Sequence, residues 1–215
     1  MKIKKLAANT GFTIVELMIA LMVLSTILLM GTVILIQIGA LYTKGVNGAS
    51  LQNATRNALV DVSSSLQFSG DDLSMAPDLH VAGTLINAFC IGSTRYSYVL
   101  NRELGTTDTT GTPAPHVLWR DTLPNVGTCT ALDISNDSVN MATQGYEMIP
   151  EHIRLTKLAI TQSPTDSDVY QIDVNMAYGD SDLFTDASST TCKGGPGTQF
   201  CGTSQLSNSV NRRIK

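Results

Sequence analysis

Charge is scarce in this chain. Lys, Arg, Asp and Glu make up 15% of its 215 residues, against roughly 25% in an average soluble domain. Residues 17–36 (LMIALMVLSTILLMGTVILI) carry none at all. Proline is absent from Phe12 through Phe68, so nothing there forbids one continuous helix. Histidine is limited to His80, His116 and His152, which are scattered, and no C-x-x-C pair exists. That argues against a zinc site, whose ligands recur at short fixed spacings. No G-x-S-x-G, no Cys–His pair at informative spacing and no phosphate-cradling glycine loop is present. An enzyme is therefore not expected, and neither a cofactor nor a metal is called for. No internal repeat is visible.

Basic charge is also short. Of 14 Lys and Arg, three (Lys2, Lys4 and Lys5) precede residue 11, leaving 11 against 18 acids, or −7. A generally acidic surface does not suit nucleic acid, which is held by basic patches facing phosphates. Arg212, Arg213 and Lys215 are the exception and read as a solvated terminus.

What the chain does have is twenty consecutive uncharged, mostly apolar residues. At 1.5 Å each they reach about 30 Å, the thickness of a bilayer's hydrocarbon core. Glu16 stands at the margin of that run. A charge at a membrane helix centre costs roughly 2.5–3.5 kcal/mol, and less near the interface, so a carboxylate there asks for a partner. The three lysines before it should stay in the cytoplasm, with the body outside. All four cysteines (Cys90, Cys129, Cys192, Cys201) fall in that exported body. An even count in an oxidising compartment favours disulfides, and four cysteines allow three pairings. The sequence-nearest scheme, Cys90–Cys129 with Cys192–Cys201, is expected. An ordinary secretory signal, cut near Gly39-Ala40, is a rival, although its apolar core should span only about 7–15 residues. An uncut signal anchor is the other rival.

The string GFTIVELMIAL at residues 11–21, after MKIKKLAANT, resembles the processing site of type IV prepilins and type II secretion pseudopilins. The resemblance implies a leader at 1–11, cut after Gly11 by a prepilin peptidase, with methylation of the new Phe12 amine. It also implies that Glu16 pairs with the Phe12 amine of a neighbouring subunit during assembly. Implied partners are other pilin or pseudopilin subunits, the prepilin peptidase, an inner-membrane assembly platform and membrane lipid. Two further strings, YSYVLNREL followed by HVLWRD, and NATRNALVDVSSSL around Arg56, resemble the strand core and helix end of larger minor pilins and J-type pseudopilins.

The expected fold is α+β and pilin-like. A long helix over 12–69 has a transmembrane part at 17–36. An extracytoplasmic β-rich domain follows at 70–215. Leu51, Thr55, Ala58, Leu59, Val62 and Leu66 recur at spacings of three and four, a stripe suited to packing against a sheet. Gly31, Gly39, Gly45 and Gly48 each weaken helix by about 1 kcal/mol and are candidate bends or melted points. Gly70-Asp71-Asp72 reads as the stop. Residues 80–91, 95–101, 116–120, 151–161 and 168–178 read as strands, and 168–178 alternates most clearly. The stretches 106–115 and 125–144 read as polar and irregular, and the tail as a disulfide-closed loop.

Asp180, Asp182 and Asp186 alternate as calcium-type oxygens do, but lack the twelve-residue loop pattern and read as solvated turn residues. Trp119 reads as core. The function expected is a structural subunit of a type IV pilus-like filament, a minor pilin or pseudopilin, in the cytoplasmic membrane before assembly and in a cell-surface or periplasmic filament after it. The alternative is a membrane-anchored or filament-tip binding module for a surface, glycan or DNA.

Overall fold

The computed structural model describes residues 11–70, 72–81, 83–104, 116–123, 127–135, 145–186, 188, 190–195 and 197–213. The leader lysines, Asp71, the loop 106–115, parts of 125–144 and Lys215 lie outside these. Two compact units divide the chain, at residues 1–42 and 43–215.

A single helix, α1, runs Ile14–Phe68. Gly31, Gly39, Gly45 and Gly48 are all helical, so none is a melted point. With no proline to remove a hydrogen bond, four penalties of about 1 kcal/mol are spread over many good helix formers. The helix stops where expected. Ser69 N donates to Ser65 O at 3.0 Å, and Gly70 takes φ 71°, the left-handed conformation common just past a helix end.

Within the second unit two antiparallel sheets meet the C-terminal part of α1. The first contains β1 (Leu73–Met75), β2 (Leu79–Val81), β3 (Thr84–Ile91), β4 (Thr94–Tyr98), β5 (Leu118–Thr122) and β6 (Tyr146–Glu147), in the order β1-β3-β4-β5-β6 with β2 also pairing β3. The second contains β7 (Ile153–Gln162), β8 (Val169–Tyr178) and β9 (Gly202–Asn211), in that order. The segment after β4 links them: Asn101 N donates to Leu155 O at 2.7 Å, and Glu103 bridges Arg154.

Two sequence expectations are corrected. Residues 80–91 are two strands, because Gly83 at φ 83° turns the chain and sets Val81 opposite Thr84. The tail is a strand rather than only a loop. β9 pairs with β8 along its whole length, from Val169↔Asn211 to Tyr178↔Gly202. Its sequence, GTSQLSNSVN, hides this because the inward positions include Ser204 as well as Leu206 and Val210.

Every residue of the expected helix stripe (Leu51, Thr55, Ala58, Leu59, Val62, Leu66) is buried. Its apolar members share one core with Phe89, Ile91, Tyr96, Tyr98 and Leu118 of the first sheet and with Leu155, Tyr170, Ile172, Val174 and Met176 of the second. Thr55 Oγ1 satisfies itself on Leu51 O at 2.8 Å. In β8, Tyr170, Ile172, Val174 and Met176 are buried and Gln171 is exposed, the expected alternation.

The far side of the first sheet is covered too. Trp119 is buried with Ile86, Val99 and Ile134. Residues 127–135 lie there, tied by the Cys90–Cys129 disulfide, by Arg95 Nη1 donating to Thr130 O at 3.1 Å and by Leu132 N donating to Ser97 Oγ at 3.1 Å. Arg95 is buried and paired with Asp121 at 2.5 Å. Such a pair is retained only when its polar atoms are satisfied. Gly145 is required by the same packing: a β-carbon there would sit 2.3 Å from Trp119 Nε1.

Leu66→Ala is expected to lower unfolding free energy by about 2–5 kcal/mol, as for a buried leucine. Val60→Ala, on the exposed side of the same helix, should change it by less than about 0.5 kcal/mol. Urea unfolding of the two variants checks which face is core.

Candidate functional site

The first turn of α1 has a defined cap. Thr13 precedes the helix, and its Oγ1 accepts from Glu16 N at 3.2 Å. Glu16 Oε2 accepts in return from Thr13 N and from Thr13 Oγ1, both at 3.3 Å. This reciprocal Thr-x-x-Glu arrangement is a capping box, which satisfies helix-start donors and puts negative charge at the positive end of the helix dipole. Its signal in the sequence is Thr13 three residues before Glu16, ahead of an apolar run. Glu16 thus has donors within its own chain. Among the described residues both bonds end on Oε2, and Oε1 accepts none.

Beyond the cap, α1 contains an 18-residue window of mean hydropathy 2.7, none of it buried in the isolated chain. It is long and apolar enough to cross a membrane. Its few polar side chains are turned back on the backbone. Ser25 Oγ donates to Met22 O at 2.9 Å, and Thr26 Oγ1 and Thr32 Oγ1 donate to Val23 O and Leu29 O at 2.8 Å. In lipid a free hydroxyl would lack a partner, so each of these bonds lowers the cost of immersion.

The remaining candidate residues lie in the second unit. The four cysteines form Cys90–Cys129 and Cys192–Cys201. The latter closes a short loop just before β9. Asp180 precedes the 3-10 turn Ser181–Leu183 and Asp182 lies within it, while the Asp186 carboxylate accepts from Thr190 N at 3.0 Å and from the Thr190 hydroxyl. Among the described residues no group of three or more His, Cys, Asp or Glu is arranged to hold a metal.

Two residues of the basic tail are docked on the fold rather than left free in solvent, while Lys215 lies outside the described residues. Arg212 pairs with Asp72 and, at 3.4 Å, with Asp168. Arg213 N donates to Gln67 O at 3.1 Å, and its guanidinium lies 5.8 Å from the Phe68 ring centre. The cations are consumed by acids and an aromatic ring far away in sequence, which no local reading could supply.

Two polar clusters were not visible in sequence. In one, Tyr96 Oη donates to Asp61 Oδ2 at 2.8 Å, and Arg120 Nε approaches the same oxygen at 3.1 Å. Burial, opposed in part by the Ser65 hydrogen bond, pushes the Tyr96 phenol well above its usual range, and Asp61 adds to the rise. Burial also raises Tyr98, helped by Asp78. In the other cluster, buried Glu103 accepts from Arg154 Nη2 at 2.8 Å and lies 3.0 Å from His152 Nδ1. Arg154 also donates to Gly179 O at 2.7 Å. His152 holds φ 63°, a sparsely populated conformation for a residue with a β-carbon.

No family model matches the chain, and no curated protein or solved structure matches it.

A tyrosine whose folded pKa is raised stabilises the fold fully below its unfolded pKa, here 10.0, and loses that contribution as pH climbs above it. Stability is expected to fall as pH rises past about 10, and Tyr96→Phe should flatten that fall. Denaturant unfolding across an alkaline series, with phenolate absorbance followed in parallel, checks this.

Proposed function

We propose that this chain is a structural subunit of a type IV pilus-like filament, of the minor pilin or pseudopilin kind. In this reading a prepilin peptidase cuts between Gly11 and Phe12 and methylates the new amine. α1 holds the product in the cytoplasmic membrane with the second unit outside, and the subunit then passes into a filament through its apolar helix. The observation that carries the reading is a single stretch. Gly11, Phe12 and Glu16 open a helix that is uncharged over the next twenty residues and capable of crossing a bilayer.

Leaving lipid for a bundle of helices gains little hydrophobic energy, because lipid is already apolar. Register must then come from packing and from polar contacts. The acceptor at Glu16 Oε1 fits an incoming ammonium from a neighbour's Phe12, while Oε2 stays engaged by Thr13. A carboxylate offers about four acceptor directions, so the two roles do not compete. The larger second unit and its strand strings favour a minor subunit over the major one.

The cap by itself is a sufficient local role for Glu16, and one substitution separates the two roles. Glu16→Gln keeps a side chain able to cap, since glutamine also serves in capping boxes, but it removes the charge. Filament incorporation is expected to fall at least about tenfold for Glu16→Gln as for Glu16→Ala, because removing one partner of a buried pair costs about 3–5 kcal/mol. The membrane-held pool should be unchanged. Wild-type incorporation of the glutamine variant would reduce Glu16 to a helix cap. Replacing Gly11 by alanine or a bulkier residue should block processing. Intact-mass analysis reads the result, and an N-terminus at Phe12 in that variant would refute the assigned cut.

A further inference from the structure

A cleft of about 200 Å³ opens where β7 begins, β8 ends and the Cys192–Cys201 loop returns, lined by Glu103, His152, Tyr178, Gly179, Asp180 and Phe200 among others. We propose that it receives the side-chain ammonium of a lysine presented by a partner protein. This is a recognition site that does not depend on the filament reading.

Three features of the cleft point to that ligand. First, its walls are aromatic. Phe200 is half exposed, and the His152 and Tyr178 rings meet edge to face with centres 6.4 Å apart. The electron-rich faces of such rings attract organic cations. Second, its charge is negative. Glu103 is balanced by Arg154, whose Nη2 is shared between Glu103 and the carbonyl of Gly179. Asp180 is exposed and makes no side-chain cap bond, and among the described residues its carboxylate has no cation. Counting histidine as neutral, one negative charge is left over at the rim. Third, among the described lining residues there is no lysine, arginine, amide or aliphatic hydroxyl, and the one basic ring, His152, already lies 3.0 Å from Glu103. A carboxylate ligand would find few donors there, whereas an alkylammonium needs only acceptors and rings.

The cleft is also built rather than incidental. Gly179 holds φ 123°, and a β-carbon on it would stand 2.5 Å from Phe200 O. The end of β8 and the residue before Cys201 are therefore in contact at the cleft floor, and the disulfide fixes the loop that carries Phe200. Strained backbone at His152, whose carbonyl accepts from Gly179 N at 3.3 Å, is of the kind that collects at ligand clamps. The size suits one extended side chain and not a drug-sized molecule, whose pockets begin near 300 Å³.

The test uses the full chain in nanodiscs of zwitterionic lipid, so that membrane charge does not attract the probe. The probe is acetyl-Gly-Lys-Gly-amide, and its control has norleucine in place of lysine. Saturation-transfer NMR should show the lysine methylenes enhanced at least about threefold over those of norleucine, as a cation–π and charge contribution requires. The excess should shrink in half-molar salt, where charges are screened. Asp180→Asn and Phe200→Ala should each remove most of it. Asp180 is exposed and Phe200 half exposed, so both variants should fold; unchanged circular dichroism confirms it. Equal enhancement of the two peptides would overturn the proposal. So would undiminished lysine enhancement in folded Asp180→Asn, or saturation of the cleft by maltose in preference to the lysine peptide.

Discussion

The buried stripe on the second half of α1 is the constraint that the outer unit depends on. Leu51, Ala58, Leu59, Val62 and Leu66 touch one core shared by both sheets. Neither sheet closes on itself, and each has one face that this helix covers. The linking segment from Asn101 to Leu104 adds a few backbone bonds, but the common surface is the helix. Polar residues within the stripe are satisfied locally or across it, as when Asn208 Nδ2 donates to Ser63 Oγ at 3.2 Å.

Legibility in the sequence followed how each element is buried. The stripe at spacings of three and four and the alternation in β8 were both visible, because burial there is paid in Leu, Ile, Val and Tyr. β9 was not, since its inward face is partly serine and its bonds are made by backbone, which sequence does not display. The docked tail carries no local signal, because Asp72, Asp168 and Phe68 reach it only through the finished fold. Residues 127–135 looked merely polar, yet Ile134 and a disulfide seat them on the back of the first sheet.

The candidate residues divide in the same way. Gly11, Phe12 and Glu16 are contiguous, so local pattern was enough to single them out. The reciprocal bonds between Thr13 and Glu16 revise what that pattern means. The carboxylate is already held at the helix start, and any intermolecular contact is added to a formed cap. The Glu103–His152–Arg154 cluster gave no such signal, since Glu103 stands about fifty residues from the other two and meets them only when the two sheets join.

The placement of β9 carries a kinetic consequence. Ser63 meets Asn208 across 145 residues, and Asn47 reaches Gln199 O across 152. Contacts of that separation form late, because the chain entropy of closing the loop must be lost before any packing returns it. Until residues 202–211 arrive, one sheet lacks its third strand and part of the helix stripe faces water. The growing chain therefore passes through a state with an open strand edge beside an apolar helix face, the combination most prone to association with the wrong neighbour.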